Sequence, residues 1–102
     1  MLAESSITPV GGDSHLSSRI AEALKIIDAS GLRYQLTPMG TCVEGEWDEV
    51  INVIKLCHDR IRGLSPHVFT TVRIEDEEGE REKLTRNVSS VEEKAGRALH
   101  RG

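Results

Sequence analysis

GLRYQLTPMGTCVEGEWDEV, residues Gly31 to Val50, holds two strand patterns, the turn between them and the start of a helix. Leu32 to Leu36 alternates strictly between apolar and polar residues, the period of a strand with one buried face. Thr37-Pro38-Met39-Gly40 suits a type I turn, with proline at its second position and glycine at its fourth. TCVEGE, Thr41 to Glu46, returns as a second strand, and Trp47 opens an apolar stripe at helical spacing. Pairing Leu36 with Thr41 sets Tyr34 against Val43 and Arg33 against Glu44. A slip of one residue would put Glu44 opposite Tyr34 and turn a charge onto the apolar side, which the pattern resists. A four-residue loop, Thr37 to Gly40, fits this register.

Upstream, Ala3 to Val10 reads as a strand of small and β-branched residues. Asp13 or Ser14 can cap a helix whose buried stripe is Leu16, Ile20, Ala23, Leu24 and Ile27, and Gly31 stands where a C-cap would. Downstream, the helix from Trp47 carries Val50, Ile51, Ile54, Cys57 and Ile61 and stops near Gly63, before Pro66. HVFTTVRIED, His67 to Asp76, is a fourth strand pattern, and EEGERE, Glu77 to Glu82, a solvated charge run. SSVEEKAGRALH, Ser89 to His100, predicts a short closing helix capped by Ser89 or Ser90, with Glu92 or Glu93 near its positive end. The order β-α-β-β-α-β plus a C-terminal helix predicts a ferredoxin-like α+β sandwich. It has one domain over residues 1–102 and an antiparallel four-stranded sheet with two helices on one face.

Composition narrows the partners. A formal net charge of −4 disfavours a ligand bound mainly through its phosphates, and 3% aromatic residues leave little to stack on bases. Nucleic acid is therefore not the expected partner. Cys42 and Cys57 lack C-x-x-C spacing, so neither a zinc site nor a disulfide framework is expected. They read as thiols packed like small apolar residues, and a reducing cytoplasm as the expected compartment. No apolar run approaches the roughly 20 residues that span a bilayer.

The register sorts the sheet into two faces. Ala3, Ile7, Leu32, Tyr34, Leu36, Val43, Val68, Val72 and Ile74 are expected beneath the helices. Glu4, Ser6, Thr8, Arg33, Gln35, Thr37, Cys42, Glu44, Phe69, Thr71, Arg73 and Glu75 form the opposite face, left to water, a ligand or another subunit. Glu44 has two readings there. It is an ion-pair partner of Arg33 on a wet surface, contributing about 0.2–1 kcal/mol. Alternatively the face is covered, and the desolvated carboxylate then calls for a cationic partner. The second reading makes a pocket for a small organic cation, with serines and threonines bonding its polar rim.

PVGGDS after the first strand, GLRYQLTPMGTCVEGEWDEV across the hairpin, and TTVRIED in the last strand together resemble the thiamine-binding protein family of small, YkoF-like proteins. The spacing of LTPMGT-x-x-EG is the specific part. The resemblance implies the same ferredoxin-like fold, with sheet edges paired into dimers and open faces stacked into homotetramers. It implies non-catalytic binding of thiamine, or of a related pyrimidine or thiazole, at a subunit interface, with no other cofactor. Glu44 would balance the thiazolium charge. Thr37, Thr41 and the main chain at Gly40 would offer hydrogen bonds, Ser6 and Thr8 would line the neighbouring strand, and Trp47 would pack against a ring, unless it is simply the first core residue of its helix. The chain departs from the family pattern after Asp76, where EEGEREKL is largely acidic and a basic cluster is usual. That departure points to an unphosphorylated ligand, or to none.

Other classes are weaker. No Ser-His-Asp or Cys-His arrangement is suggested, and His15, His58, His67 and His100 are scattered. Glu4 and Glu44 could in principle act as acid and base. A structural or regulatory oligomer, sensing some other small molecule, is the main alternative, and an interior carboxylate at Glu44 argues against a merely adhesive face.

Overall fold

The computed structural model describes residues 1–11, 16–79 and 81–96. Its elements are β1 (Leu2–Pro9), α1 (Leu16–Ala29), β2 (Arg33–Thr37), β3 (Gly40–Glu44), α2 (Trp47–Leu64), β4 (Val68–Glu75) and α3 (Lys83–Ala95). The four strands form one antiparallel sheet in the order β2-β3-β1-β4. This is the ferredoxin-like arrangement, and the hairpin register is the expected one: Arg33 opposite Glu44, Tyr34 opposite Val43 and Leu36 opposite Thr41. Thr37 also pairs with Gly40, so only Pro38 and Met39 lie outside the ladder. The Thr37 hydroxyl donates to the Gly40 carbonyl at 2.9 Å and accepts from the Met39 N–H at 3.3 Å, which closes this tight turn.

Helices α1 and α2 pack on each other and on β1, and their apolar stripes meet the sheet in one core. Ala3 and Val43 from the sheet, Ala23 and Ile27 from α1, and Val50, Val53, Ile54, Cys57 and Ile61 from α2 are all buried. Gly45 lets β3 turn into α2 closely, since a Cβ there would sit 3.1 Å from the Leu32 side chain. Glu49 accepts the Glu46 N–H at 3.2 Å, and the acidic first turn suits the positive end of α2. Gly31, with φ of +77°, follows α1 in the left-handed conformation that glycine adopts at low cost. The expected caps Asp13 and Ser14 lie outside the described residues, as do His15 and His100.

Two expectations are corrected. The two-helix layer is narrower than the sheet: Tyr34, Leu36, Val72 and Ile74 share the face of Ala3 and Val43, yet each is at least 36% exposed. They belong to the outer strands β2 and β4, beyond the reach of the helix pair. The last helix begins at Lys83 rather than at Ser89 or Ser90. Its first residues come straight out of the charge run, and Glu92 and Glu93 lie in its final turns, where their carbonyls accept the N–H of Gly96. Helix α3 lies against β2 and β3 on the face opposite α1 and α2.

Candidate functional site

The sheet carries two distinct polar places. The first is a pocket of about 300 Å³ between α1, β1 and the β2–β3 turn. Ala23, Leu24 and Ile27 of α1 and Cys57 and Ile61 of α2 give it an apolar wall, and among the described residues no charged side chain lines it. Its polar groups come from the strands. Ser5 and Thr41 are cross-strand partners, 8% and 7% exposed, and both line the pocket. Both residues present a hydroxyl to the pocket, and neither hydroxyl is sealed off from it as an unsatisfied buried group. Two such groups side by side on an apolar wall form a ready donor–acceptor pair for a small molecule.

Of the residues expected at a site, Ser6, Thr8, Thr37, Gly40 and Thr41 all line this pocket. Their contributions differ. Ser6 and Thr8 alternate out of phase with Ser5 and Ile7, so they border it through the main chain. Thr37 is committed to the turn by its two hydrogen bonds. Gly40 permits the close approach of the hairpin to β1, because a Cβ would lie 2.8 Å from the Ser5 carbonyl oxygen. Ser5 is the residue that sequence reasoning missed, although the period of β1 places it in phase with Ala3 and Ile7. Cys57 donates to the Ala23 carbonyl at 3.4 Å, and burial pushes its thiol up to about 11, so it offers no nucleophile at neutral pH.

The second place surrounds Glu44, three residues further along β3 and on the opposite face, roughly 10 Å from Thr41. Arg33, Glu44, Leu2 and Glu75 form one row across all four strands, and the start of α3 lies over it. Glu44 is 8% exposed, with Oε1 3.5 Å from Arg33 Nη1 and Oε2 accepting the Leu84 N–H at 3.4 Å. Oε1 makes no hydrogen bond. Glu82, the residue preceding α3, has φ of 58° and offers no side-chain cap, so Glu44 caps this helix from the sheet. Around it Arg33 donates to Thr85 at 2.6 Å, Asn87 to both oxygens of Glu75 at 3.4 Å, and Lys83 bridges Glu75 and Glu77. The cover over Glu44 is thus a helix of the same chain, and its nearest cation is Arg33.

Trp47 stands apart from both places. It is the first residue of α2 and 51% exposed, so it is not a core residue of that helix. His58 Nδ1 lies 2.6 Å from the Thr70 hydroxyl, and His67 lies against Phe69 with ring centroids 5.4 Å apart. Among the described residues no three His, Cys, Asp or Glu side chains gather as metal ligands would.

Residues 3–92 match the family model described as thiamine-binding protein. The chain belongs to that family. A UPF0045 protein of Methanothermobacter thermautotrophicus is 35% identical to this thiamine-binding family member over 95 residues, covering 90% of this chain and 96% of the relative. The UPF0045 protein YqgV of Bacillus subtilis is 33% identical over 96 residues, covering 88% and 92%. Among solved structures, the hypothetical protein MJ1052 of Methanocaldococcus jannaschii superposes with a TM-score of 0.83 at 24% identity, over 90% of this chain and 95% of its own. A Thermotoga maritima protein proposed to act in thiamine biosynthesis or salvage superposes with a TM-score of 0.78 at 22% identity, over 88% and 96%. At those identities the likeness of this family member to the solved structures establishes the fold.

Proposed function

We propose that this protein binds thiamine, or a pyrimidine or thiazole related to it, without transforming it, and that the pocket beside the β2–β3 turn holds one ring. The observation that carries this reading is the cross-strand Ser5–Thr41 hydroxyl pair facing a pocket with an apolar wall. A volume of about 300 Å³ stands at the small end of the range for ligand pockets, a fit for one heteroaromatic ring and its substituents. Membership of the thiamine-binding family supports the choice of ligand. Binding without transformation agrees with a pocket whose thiol is held protonated.

The rim supports a subunit interface. Leu36 and Met39, 51% and 84% exposed, stand at the mouth, where a second copy would cover them. Strand β4 is an outer strand of eight residues, with Val72 and Ile74 exposed on one side and Phe69 on the other. Long apolar edges pair with further strands unless they are protected. A homodimer through β4, stacked further through the open faces and working in the cytoplasm, follows as the assembly we favour.

The lining of the pocket, uncharged among the described residues, favours a second reading, a module that senses a neutral small molecule. Calorimetry and thermal unfolding with thiamine, its pyrimidine half and its thiazolium half separate the two. Thiamine at 100 times its dissociation constant adds roughly 2.7 kcal/mol of apparent stability. In Thr41→Val the gain is largely lost while the fold persists. An unchanged melting temperature at millimolar thiamine rejects thiamine as the ligand.

A further inference from the structure

We propose that α3 is a lid held down by charge, and that the Lys83 ammonium occupies the place of a small organic cation on the open face of the sheet. Lys83 is the first residue of α3, its side chain only 17% exposed, with Nζ 3.2 Å from Glu75 and in contact with Glu77. Glu75 also lines an open cleft of about 390 Å³ with Leu2, Glu4, Cys42 and Arg73. Leu2 separates Glu75 from Glu44 in the row under α3, so cleft and lid share one floor. While α3 is down, Lys83 supplies the positive charge at this end of the cleft. With α3 raised, the described cations left facing Glu4, Glu44 and Glu75 from the sheet are Arg33 and Arg73, and Arg73 is 83% exposed and 3.9 Å from Glu4.

Several features make α3 the element that yields. No residue of α3 is buried, and its apolar positions Leu84 and Val88 are only half-covered. It enters through a left-handed Glu82 without a side-chain cap, and the cap it borrows, Glu44, keeps one buried oxygen without a hydrogen bond. The contacts that hold it to the sheet include charged and polar ones: Lys83 to Glu75, Asn87 to Glu75, Arg33 to Thr85 and Glu44 to the Leu84 N–H. A guest cation without a hydrogen-bonding requirement, such as a quaternary ammonium, would replace the tethered ammonium and carry α3 with it. This site lies on the other face of the sheet from the pocket, and it rests on no part of the thiamine reading.

The test uses the full chain, tetramethylammonium chloride as probe and sodium chloride at matched ionic strength as control. In Lys83→Met, calorimetry is expected to give at least tenfold tighter tetramethylammonium binding than in the unaltered protein. Amides of α3 are expected to exchange at least tenfold faster, with β1 and β3 unaffected. Adding Glu75→Gln to that variant abolishes binding, whereas adding Thr41→Val leaves it unchanged. Lys83→Gln, which keeps a polar head, gives the same ordering should the methionine variant misfold. The proposal is overturned by unaltered α3 exchange in both Lys83 variants, by absent binding in both, or by equal binding with and without Glu75. Loss of thiamine binding in Thr41→Val with these results intact would separate the two sites.

Discussion

Two neighbouring rows cross the same four strands, and they are closed in opposite ways. Tyr34, Val43, Ala3 and Ile74 form one; Arg33, Glu44, Leu2 and Glu75 form the next, one residue away and on the other face. At the centre of the first, Val43 and Ala3 are 0% and 1% exposed beneath two helices. At the second, Glu44 is nearly as hidden, beneath a helix with no buried residue of its own. Apolar burial is non-directional and gains with every atom covered. Burying a carboxylate costs several kcal/mol before its partners restore the balance. The first row therefore belongs to the cooperative core, and the second to a seam that can open while the core stays folded.

The largest effect is expected on the apolar side. Ile61 is 1% exposed within the core and also borders the pocket. Ile61→Ala removes buried methyl groups and leaves a void, at a cost of about 2–5 kcal/mol. Urea denaturation followed by far-ultraviolet circular dichroism should show this as a lower midpoint for the whole molecule. A loss confined to α3 would contradict the division into core and seam.

A smaller and local effect is expected across the seam. Arg33→Met removes the cation nearest Glu44 and the donor to Thr85. Left in place, the carboxylate would remain buried without compensation. Raising α3 returns it to water, so the loss is limited to the modest attachment of that helix, roughly 1–3 kcal/mol. Hydrogen exchange should then quicken in residues 84–95 while Val43 and Ala3 keep their protection. Equal acceleration in both rows would mean that α3 is part of the core.

The same contrast explains what could be read in the sequence. The hairpin register was legible because Leu32 to Leu36 alternates and a slip would turn Glu44 inward. Helix α2 was legible because Val50, Ile54, Cys57 and Ile61 recur at its period. The start of α3 was hidden, because Lys83 follows directly from a charge run and the apolar spacing of Leu84, Val88 and Val91 is thin. At the site, Thr37 and Thr41 were named from the family resemblance, and both border the pocket. Ser5 was missed because a lone serine carries no signal until its cross-strand partner Thr41 shows which way it points. Glu44 was singled out as an interior carboxylate, and it is one. Its cover could not be anticipated, since nothing in a list of strand residues says that a helix eighty residues into the chain will return to the row of Glu44.

The smallest effects are those of pH, and they separate the two rows by direction. Hydrogen bonds from Lys83 and Asn87 hold the Glu75 carboxyl below its usual value. A depressed carboxyl stabilises the folded form above its ordinary value of 4.5, and that contribution is lost as pH falls through the lowered folded value. The Lys83 ammonium is held above 10.5 by Glu77 and Glu75, so its contribution is complete below 10.5 and lost as pH rises through the raised value. Both groups belong to the seam. In the core, burial raises Cys57 from 9.0 to about 11, so the unfolded thiol ionises first and stability falls between those values. Acid should therefore loosen α3 with the core intact, while alkali weakens both. Cys57→Ala removes the buried thiol's share of the alkaline limb, leaving that of Tyr34, whose phenol is raised by its hydrogen bond to Asp28, and leaves the acid limb unchanged. Hydrogen exchange at pH 4 that is as fast in β3 as in α3 would erase the distinction between the rows.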